Sequence, residues 1–431
     1  MKTKTIILNR WLATLAIDAT PNMDECVAML GQDIELLNRY KNTPQDSEWH
    51  AEGNVHIHTD MVLTALYNLL ANDAIHLSAW KRQALILAAL LHDIAKPLRT
   101  RVSLIRGIER VVAPKHEAIG RSYLAFKLIA FDLSFKVVWT ILNLVGEHHS
   151  PKLLMVKNRP AKDFWALSRQ VDTELVYWLE VADMAGRICP DVQQQHLYLD
   201  EFQLFSEEYK VWGQSLTQQI RQTLAPHLQN LSTASQNYIY AHALYQMEQG
   251  IIIMPEEALA TTYQYREQHP HLVIMCGASG SGKSTWIADN YPDYVLVSLD
   301  ELRQQINRNR NSQKNRGQIL QAAKQQLREA LRSQQGIVWD ATNLRTDFRS
   351  MLSQLGRDYH ALVTLVVFLV PKAVLLQRNR QREYAVPDVV LDKQIDGYQF
   401  PTLNEAHQVQ FIGEKGKLLY RSGYYDFKLT F

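Results

Sequence analysis

One stretch constrains the chain more than any other, because Gly277-Ala278-Ser279-Gly280-Ser281-Gly282-Lys283-Ser284-Thr285 satisfies the pattern G-x-x-x-x-G-K-[ST] at every constrained position. An apolar run, 272–276, precedes it, and 285–288 opens a helix, so the glycines fall in a strand-to-helix turn. Backbone N–H groups there can point at phosphates, and the helix N-terminus adds partial positive charge. The stretch predicts a site for ATP or another NTP, with Lys283 on the β and γ phosphates and Ser284 on Mg²⁺. The alternative is a glycine-rich turn that binds nothing.

Composition sets broad limits. A length of 431 residues predicts two or three domains, and a net charge of +2 leaves any affinity for a polyanion to local clusters of Lys and Arg. Cys26, Cys189 and Cys276 lie far apart in the sequence and suit a reduced compartment. There is no apolar run long enough to cross a bilayer and no secretory signal. We therefore expect a soluble, cytoplasmic protein.

The pattern of apolar residues divides the chain into four segments. Residues 1–45 predict an N-terminal helical segment and 46–200 a helical domain, since apolar residues recur at helical spacing. Residues 201–268 are polar and helical and are predicted to form a connector. Residues 269–431 predict an α/β domain with a parallel sheet, and the glycines near the end of the chain suggest a terminal β-hairpin.

Histidines and aspartates recur along the helical domain. They are His58, His92 with Asp93, His116, His148 with His149, and Asp183. A single histidine on a helix is more often a core or surface residue than a ligand, but His92 and Asp93 end a helix that is apolar nearly all round and must be either paired or metal-bound. Imidazole and carboxylate without thiolate suit Mn, Fe, Ni, Co, Zn or Mg, whose bound water becomes a nucleophile on phosphorus.

The order H…HD…D formed by His58, His92-Asp93 and Asp183 resembles the all-α HD-domain metal-dependent phosphohydrolases. His116 and the pair His148/His149 resemble the additional histidines of members that hold a second metal. Because neighbours on a helix point in different directions, both of the pair should not reach one metal, and we expect His148 to be the ligand. His56 is expected to lie at the surface or behind the ligands.

Lys96 lies one helical turn beyond the pair of ligands. It could meet a substrate phosphate, or it could be a solvated lysine at a helix end. Ala95 stands where many HD relatives have glycine, which is a departure from the family pattern.

Polar motifs follow the strands predicted in the second half of the chain. Asp300 and Arg303 follow 294–299, and Asp340 and Thr342-Asn343-Leu344 follow 336–339. Arg378 and Arg382 follow 362–370 on a predicted helix, where their spacing of four places them on one face. Ligands bind at the carboxyl ends of strands in such sheets. A carboxylate there can take a proton from an acceptor hydroxyl, and arginines can bind phosphate. Taken singly, these motifs could equally be a helix cap and a solvated basic face.

Together the motifs resemble the phage-type 5′-OH polynucleotide kinases, and the order of domains resembles the bacterial HD-Pnk fusions. This resemblance implies that Asp300 is the general base, that Arg303 contacts the acceptor phosphate, and that Arg378 and Arg382 belong to a lid. Asp340 resembles a carboxylate near Mg²⁺. It further implies healing of RNA or DNA ends by a kinase and a 2′,3′-end phosphohydrolase, upstream of an RNA ligase.

A basic segment next to Asp300 fits contacts to a nucleic-acid strand, although it could be a solvated helix. Its residues are Arg303, Arg308, Arg310, Lys314, Arg316, Lys324 and Arg328. Two other hypotheses remain open: a small-molecule kinase fused to a nucleotide phosphohydrolase, which would lack such a surface, and a nucleotide-gated sensor, which would lack an acceptor base, a lid or a metal ligand.

Overall fold

The computed structural model describes residues 2–309, 314–382 and 384–425. It divides into two compact units, Met1–Leu216 and Thr217–Phe431, and this division falls inside the segment predicted to be a connector. Arg310 of the predicted basic segment lies outside the described residues, as do the last residues of the chain from Asp426 onward. No helix in the described ranges is long and apolar enough to cross a membrane.

The first unit is a set of helices with one small antiparallel hairpin. Its elements are α1 (Lys2–Thr14), α2 (Met23–Leu30), a 3-10 helix (Glu35–Asn42), α3 (Val55–Ala71), α4 (Ala79–Leu91), α5 (Lys96–Arg99), β1 (Arg101–Ile105), β2 (Ile108–Val112), α6 (His116–Leu128), α7 (Phe135–Glu147), α8 (Ser150–Val156), α9 (Ala161–Gln170), α10 (Thr173–Ala185) and α11 (Val192–Glu208).

The central helix of this unit is α4, in which every residue from Ala84 to Leu91 is buried. It packs against α3, α7 and α10, as its all-round apolar sequence requires. Side chains fix where its neighbours begin: Asn54 accepts a hydrogen bond from the backbone of Ile57 at the start of α3, and Asp172 caps α10. The packing brings the ends of several helices together, and the polar residues lie at these ends.

The β1–β2 hairpin was not anticipated from sequence. Its two-residue turn, Arg106-Gly107, has positive φ at both positions, 50° and 83°, which matches the twist of a tight hairpin.

The second unit combines helices with a mostly parallel sheet. Its elements are α12 (Leu216–Leu228), α13 (Thr233–Gln249), α14 (Glu257–Thr261), β3 (His271–Cys276), α15 (Lys283–Asn290), β4 (Val295–Ser298), α16 (Leu299–Asn307), α17 (Arg316–Arg332), β5 (Gly336–Asp340), α18 (Thr346–Asp358), β6 (Leu362–Phe368), α19 (Lys372–Arg380), α20 (Asp388–Asp396), β7 (Gln408–Ile412) and β8 (Leu418–Ser422), with short 3-10 turns at Leu403–Glu405 and Glu414–Gly416.

The strand order is β4-β5-β3-β6-β7-β8, with β8 antiparallel and the other strands parallel. The predicted α/β domain with a parallel sheet is therefore confirmed, and β7 and β8 form a hairpin near the end of the chain. Because β3, β4 and β5 run in the same direction, the segments that follow them meet at one edge of the sheet.

A buried ion pair holds the loop after β5. The Arg349 guanidinium is fully buried, lies 2.6 Å from Glu405 Oε2 and donates to the Asn343 carbonyl at 3.0 Å. Burial opposes the charge on Arg349, but nearby Cys276 and Glu405 outweigh it and raise its pKa. The guanidinium therefore stays charged and links this loop to the 3-10 turn at Leu403–Glu405, before β7.

We predict that Arg349→Ala destabilises the second unit by about 3 to 5 kcal/mol, because it leaves a buried carboxylate unpaired. The matched control is Arg345→Ala, which removes an exposed pair with Asp347 and should cost at most about 1 kcal/mol. Urea unfolding of the full chain, followed by tryptophan fluorescence, measures both. Equal losses for the two variants would contradict the role given to Arg349.

Candidate metal centre and nucleotide site

Four histidines of the first unit are held in the same way, with ring Nδ1 against a backbone carbonyl. The pairs are His58 with Gly186 (3.1 Å), His92 with Ala89 (2.8 Å), His116 with Ala113 (2.8 Å) and His148 with Val145 (2.8 Å). A carbonyl oxygen only accepts, so Nδ1 carries the proton and Nε2 keeps its lone pair. All four Nε2 atoms are buried and have no hydrogen-bond partner among the described residues. This is how a protein orients imidazole to bind a metal.

Asp93 and Asp183 complete the arrangement. Asp93 Oδ1 lies 3.0 Å from His116 Nε2, and its Oδ2 lies 3.2 Å from His92 Nε2. Asp183 Oδ1 lies 3.0 Å from His58 Nε2 and 3.8 Å from His92 Nε2. Both carboxylates are buried. Each carboxylate therefore faces the lone pair of an imidazole nitrogen. Only a proton or a cation between the two atoms makes this contact favourable.

The described residues offer four overlapping groups of possible metal ligands, and the atoms of each group lie within 4.8 Å of one another. Two groups contain only residues predicted as ligands: His58, His92 and Asp93 form the first group, and His116, His148 and His149 form the second. The other two are His50, Glu52 and His58, and His149, Glu180 and Asp183. Asp93 faces both the first and the second group. The donor set and the unpartnered nitrogens fit divalent cations, so these residues, with Asp183, could hold one or two metals.

Both His148 and His149 lie beside His116, whereas from the sequence we expected only His148 to reach a metal. Helix α7 ends at Glu147, and the two histidines lie in the turn before α8. Their ring centroids are 4.0 Å apart, and one nitrogen of each belongs to the same group as His116. Both residues keep a right-handed helical backbone conformation in this turn, and their rings nevertheless lie close together.

Burial and neighbouring charges set the protonation of these groups. Burial alone would raise the pKa of Asp93, but the charges of His92 and Lys96 outweigh it and hold that pKa well below its usual value. For His148, burial acts in the opposite direction and lowers the pKa well below its usual value. For His58, burial lowers the pKa, but the neighbouring Asp183 and Glu52 carboxylates outweigh it and raise the pKa.

A cavity of about 370 Å³ opens beside the second group. Lys96, Lys115 and Arg187 bring positive charge to its lining, next to His116 and His149. Lys96 is buried rather than solvated, and its ammonium lies 2.6 Å from Asp93 Oδ2. The cavity can thus accept an anionic group with a metal on one side and cations on the other.

Several residues of this site were not predicted. Arg187 pairs with Asp183 from one helical turn beyond it, and Glu52 lies 3.0 Å from His58 Nδ1. Glu180 is fully buried one turn before Asp183, and burial raises its pKa to about 7. Helical spacing around Asp183 could have revealed Arg187 and Glu180. Glu52 precedes α3 in an irregular segment, where spacing predicts nothing.

In the second unit, the glycine-rich stretch forms the predicted turn between β3 and α15. Gly280 and Gly282 have φ of 81° and 99°, which favours glycine. A Cβ on Gly280 would also lie 3.1 Å from the Leu375 carbonyl. Lys283 donates to the carbonyls of Gly277 (2.8 Å) and Ala278 (3.1 Å). Ser284 and Thr285 lie exposed in the first turn of α15, where Ser284 could hold Mg²⁺.

Charged side chains from neighbouring strands surround Lys283. Burial lowers the pKa of Lys283, while the charges of Asp340 and Asp300 oppose that shift and Arg382 adds to it. Asp340 pairs in register with Ser298, and Asp300 follows Ser298 by two residues. Asp300 and Arg303 form an ion pair. The structure thus brings the predicted base and cations to the edge of the sheet that holds the glycine-rich turn.

The two arginines predicted to share a helix face do not both lie on the helix. Arg378 belongs to α19 and approaches the turn, since its Nη1 lies 4.0 Å from a Cβ placed on Gly282. Arg382 lies beyond the last helical residue, Arg380. The buried Asn379 side chain binds the backbone of Val386 in both directions and closes the loop that carries Arg382.

Two further residues contact the glycine-rich turn. Gln394 Oε1 of α20 accepts from the backbone N–H of Ser279 at 2.8 Å. Asn343 is buried and donates to the Met275 carbonyl at 2.6 Å, while the Thr342 carbonyl accepts from the Gly277 N–H. The T-N-L motif therefore fixes the backbone at the end of β3, where the glycine-rich turn begins.

The described part of the basic segment is accessible. Arg308, Lys314 and Arg316 are exposed, and Lys324 and Arg328 are partly buried on α17.

We predict that the purified full chain binds about two divalent ions and that His116→Ala binds about one, because the second group then loses a ligand. The control is His76→Ala, at an exposed histidine outside both groups, which should leave the metal content unchanged. Elemental analysis after dialysis against Mn²⁺ measures the ratio. A His116→Ala protein that retained the full metal content would contradict this assignment.

Gly280→Ala should weaken ATP binding by at least an order of magnitude, because alanine is strained at that φ and its Cβ presses on the Leu375 carbonyl. Gly317→Ala is the matched control, since a Cβ there meets nothing within 4 Å. Isothermal titration with ATP and Mg²⁺ compares them. If Gly280→Ala bound ATP as tightly as Gly317→Ala, the glycine-rich turn would not be the nucleotide site.

Comparisons with known proteins agree with the division of the chain into a helical first unit and an α/β second unit. Residues 57–184 match the family model of the HD domain, and residues 272–401 match that of an AAA domain. A solved gluconokinase from Sinorhizobium meliloti 1021 is similar at 20% identity over 34% of this chain and 85% of its own, with a TM-score of 0.26. That TM-score supports no inference about substrate. No curated protein matches. The chain therefore carries an HD domain followed by a P-loop kinase-like domain.

Proposed function

We propose that the chain is a bifunctional RNA end-healing enzyme. The C-terminal domain would act as an ATP-dependent 5′-OH polynucleotide kinase. The HD domain would act as a metal-dependent phosphohydrolase on 2′,3′ phosphate ends. The finer points, namely the polynucleotide acceptor and the chemistry at the 3′ end, go beyond what domain membership implies.

The exposure of the acceptor base carries the proposal. The Asp300 side chain is 58% exposed, and that of its partner Arg303 is 24% exposed. Sites for small molecules are concave and bury most of the ligand. An open carboxylate beside an arginine instead suits a hydroxyl at the end of a long chain, whose remaining length lies outside the site. The exposed basic residues that follow, such as Arg308 and Arg316, suit its phosphates.

In the kinase reaction, the Asp300 carboxylate would accept the proton of the 5′ hydroxyl as that oxygen attacks the γ phosphorus and ADP leaves. Arg303 would bind the phosphate next to the acceptor nucleotide. Lys283, Arg378 and Arg382 would neutralise the charge on the transferred phosphoryl group. Ser284 would hold Mg²⁺.

In the HD domain, the histidine and carboxylate groups would hold divalent metal, which supplies a hydroxide near neutral pH. Lys96 and Arg187 would bind the phosphate oxygens in the cavity. Asp93 would keep Lys96 and His116 in place. A 2′,3′-cyclic phosphate requires a 2′ hydroxyl, so RNA is the expected polymer. Hydrolysis of the cyclic phosphate by one water leaves a phosphomonoester, and a second water releases inorganic phosphate and leaves the 2′ and 3′ hydroxyls free. The resulting 5′ phosphate and 3′ hydroxyl are what an RNA ligase joins, which places the enzyme upstream of such a ligase.

The test uses a short single-stranded RNA with a 5′ hydroxyl and a 2′,3′-cyclic phosphate, incubated with ATP, Mg²⁺ and Mn²⁺. Both ends are followed by mass spectrometry for wild type, Asp300→Ala and His92→Ala. Wild type should change both ends. Asp300→Ala should lose only the 5′ reaction, by a factor of at least 100, because the general base is gone. His92→Ala should lose only the 3′ reaction.

Other outcomes would reject the proposal. If neither end of the RNA changed while ATP or a small nucleotide was hydrolysed, the small-molecule kinase and nucleotide phosphohydrolase hypothesis would take its place. If ATP bound without any turnover and metal loading changed nothing, the nucleotide-gated sensor would take its place.

A further inference from the structure

The β1–β2 hairpin (Arg101–Ile105 and Ile108–Val112) rises from the rim of the HD cavity. Thr100, just before β1, lines the cavity, and so do Val111 and Val112 of β2. The hairpin is therefore continuous with the site in which the phosphate end would be held, although it contributes no metal ligand.

The base of the hairpin is anchored. Arg110 Nη1 lies 3.1 Å from Asp46 Oδ1, and the Val111 N–H donates to Asp46 Oδ2 at 3.1 Å. Next to β1, Arg99 donates to the Pro114 carbonyl at 3.1 Å. These bonds fix the direction in which the hairpin leaves the domain.

Several apolar side chains of the hairpin are exposed among the described residues. Val102, Leu104 and Ile108 are 63%, 72% and 55% exposed. Arg101 and Arg106 are also exposed, and neither makes a hydrogen bond or ion pair within the ranges that the structure describes. Residues 98–112 contain four arginines and one glutamate, Glu109, and because Arg110 is paired with Asp46 and Glu48, the positive charge of the hairpin surface comes from Arg101 and Arg106. The surface is thus positively charged and apolar at once.

This combination suits single-stranded nucleic acid. Arginines neutralise phosphates, and side chains without charge can lie against unpaired bases. A five-residue strand spans roughly 17 Å, which is enough for more than one nucleotide beyond the cavity.

We propose that this hairpin is an arm that binds the RNA strand next to the end held in the HD cavity. Arg101 and Arg106 contact backbone phosphates. Ile105 and Ile108, which are 46% and 55% exposed and lie opposite each other on the same face as Arg101, lie against bases. The inference rests on the proposed function, since it requires that the HD domain acts on the end of a chain.

The register argues against a second copy of the protein as the occupant. Leu104 lies opposite Glu109, and Ser103 lies opposite Arg110, so each face mixes apolar with polar or charged side chains. Protein interfaces are depleted of charge at their core. No uninterrupted apolar face is present in the hairpin for a partner protein to bury.

The test compares the HD reaction of the full chain on a single nucleotide with a 2′,3′-cyclic phosphate and on RNAs of two to ten nucleotides with the same end. For wild type, KM should fall with length. In Arg101→Gln/Arg106→Gln, KM for the single nucleotide should be unchanged, and most of the decrease with length should be lost. The slope of log KM against log salt for the longest RNA should fall by about 1.4, that is 0.7 for each of two phosphate contacts.

Arg10→Gln, at an exposed arginine of α1 that does not line the cavity, is the matched control and should behave as wild type. Ile105→Ser/Ile108→Ser should weaken the dependence on length without changing the salt slope. Unchanged hydrolysis of the single nucleotide in each variant shows that the HD domain is folded.

Several results would overturn the inference. One is a wild-type KM that does not depend on length, and another is a double-arginine variant that matches wild type on every RNA. A third is a wild-type dimer that becomes monomeric in the variant while the dependence on length persists, which would assign the hairpin to self-association. If wild type acted on the single nucleotide but on no RNA, the proposed function itself would fail, which is a different result.

Discussion

The Asp93 carboxylate is the group on which the HD site depends. It is buried, and its two oxygens face opposite ways, one toward His116 and the other toward His92 and Lys96. Burying an ionised carboxylate costs free energy unless cations and hydrogen-bond donors surround it. The fold meets this demand by ending α4 at this point and bringing the ends of α3, α6, α7 and α10 around it. The same demand makes the site suited to divalent metal.

The nucleotide site is built differently. Its backbone supplies the binding groups, and residues of neighbouring segments fix the position of that backbone. Asn343 and Thr342 support the strand that enters the turn, and Gln394 contacts the backbone of Ser279. Leu375 of α19 leaves no space for a side chain at Gly280. The turn is shaped before any nucleotide arrives, so little of the binding energy is spent on ordering it. Under the proposed function, each domain would thus offer a site for phosphate, one through metal ligands and one through backbone amides.

Much of this could be predicted from sequence, because the decisive signals are local. The glycine-rich turn is contiguous, and His92-Asp93 ends an apolar helix, so both assignments needed only short-range patterns. The failures lie where the chain leaves regular structure. His148 and His149 were assigned to a helix that ends one residue earlier, and Arg382 to one that ends two residues earlier. Glu52 and the exposed hairpin were missed because neither presents a buried periodic face.

The central claim is that one chain prepares both ends of a broken RNA for joining. The most direct measurement incubates an RNA that carries a 5′ hydroxyl and a 2′,3′-cyclic phosphate with the protein, and then with an RNA ligase that requires a 5′ phosphate and a 3′ hydroxyl. The account predicts sealed RNA with wild type, none with Asp300→Ala or His92→Ala alone, and sealing restored when the two variants are mixed. An unsealed product with wild type, despite consumption of ATP, would contradict it.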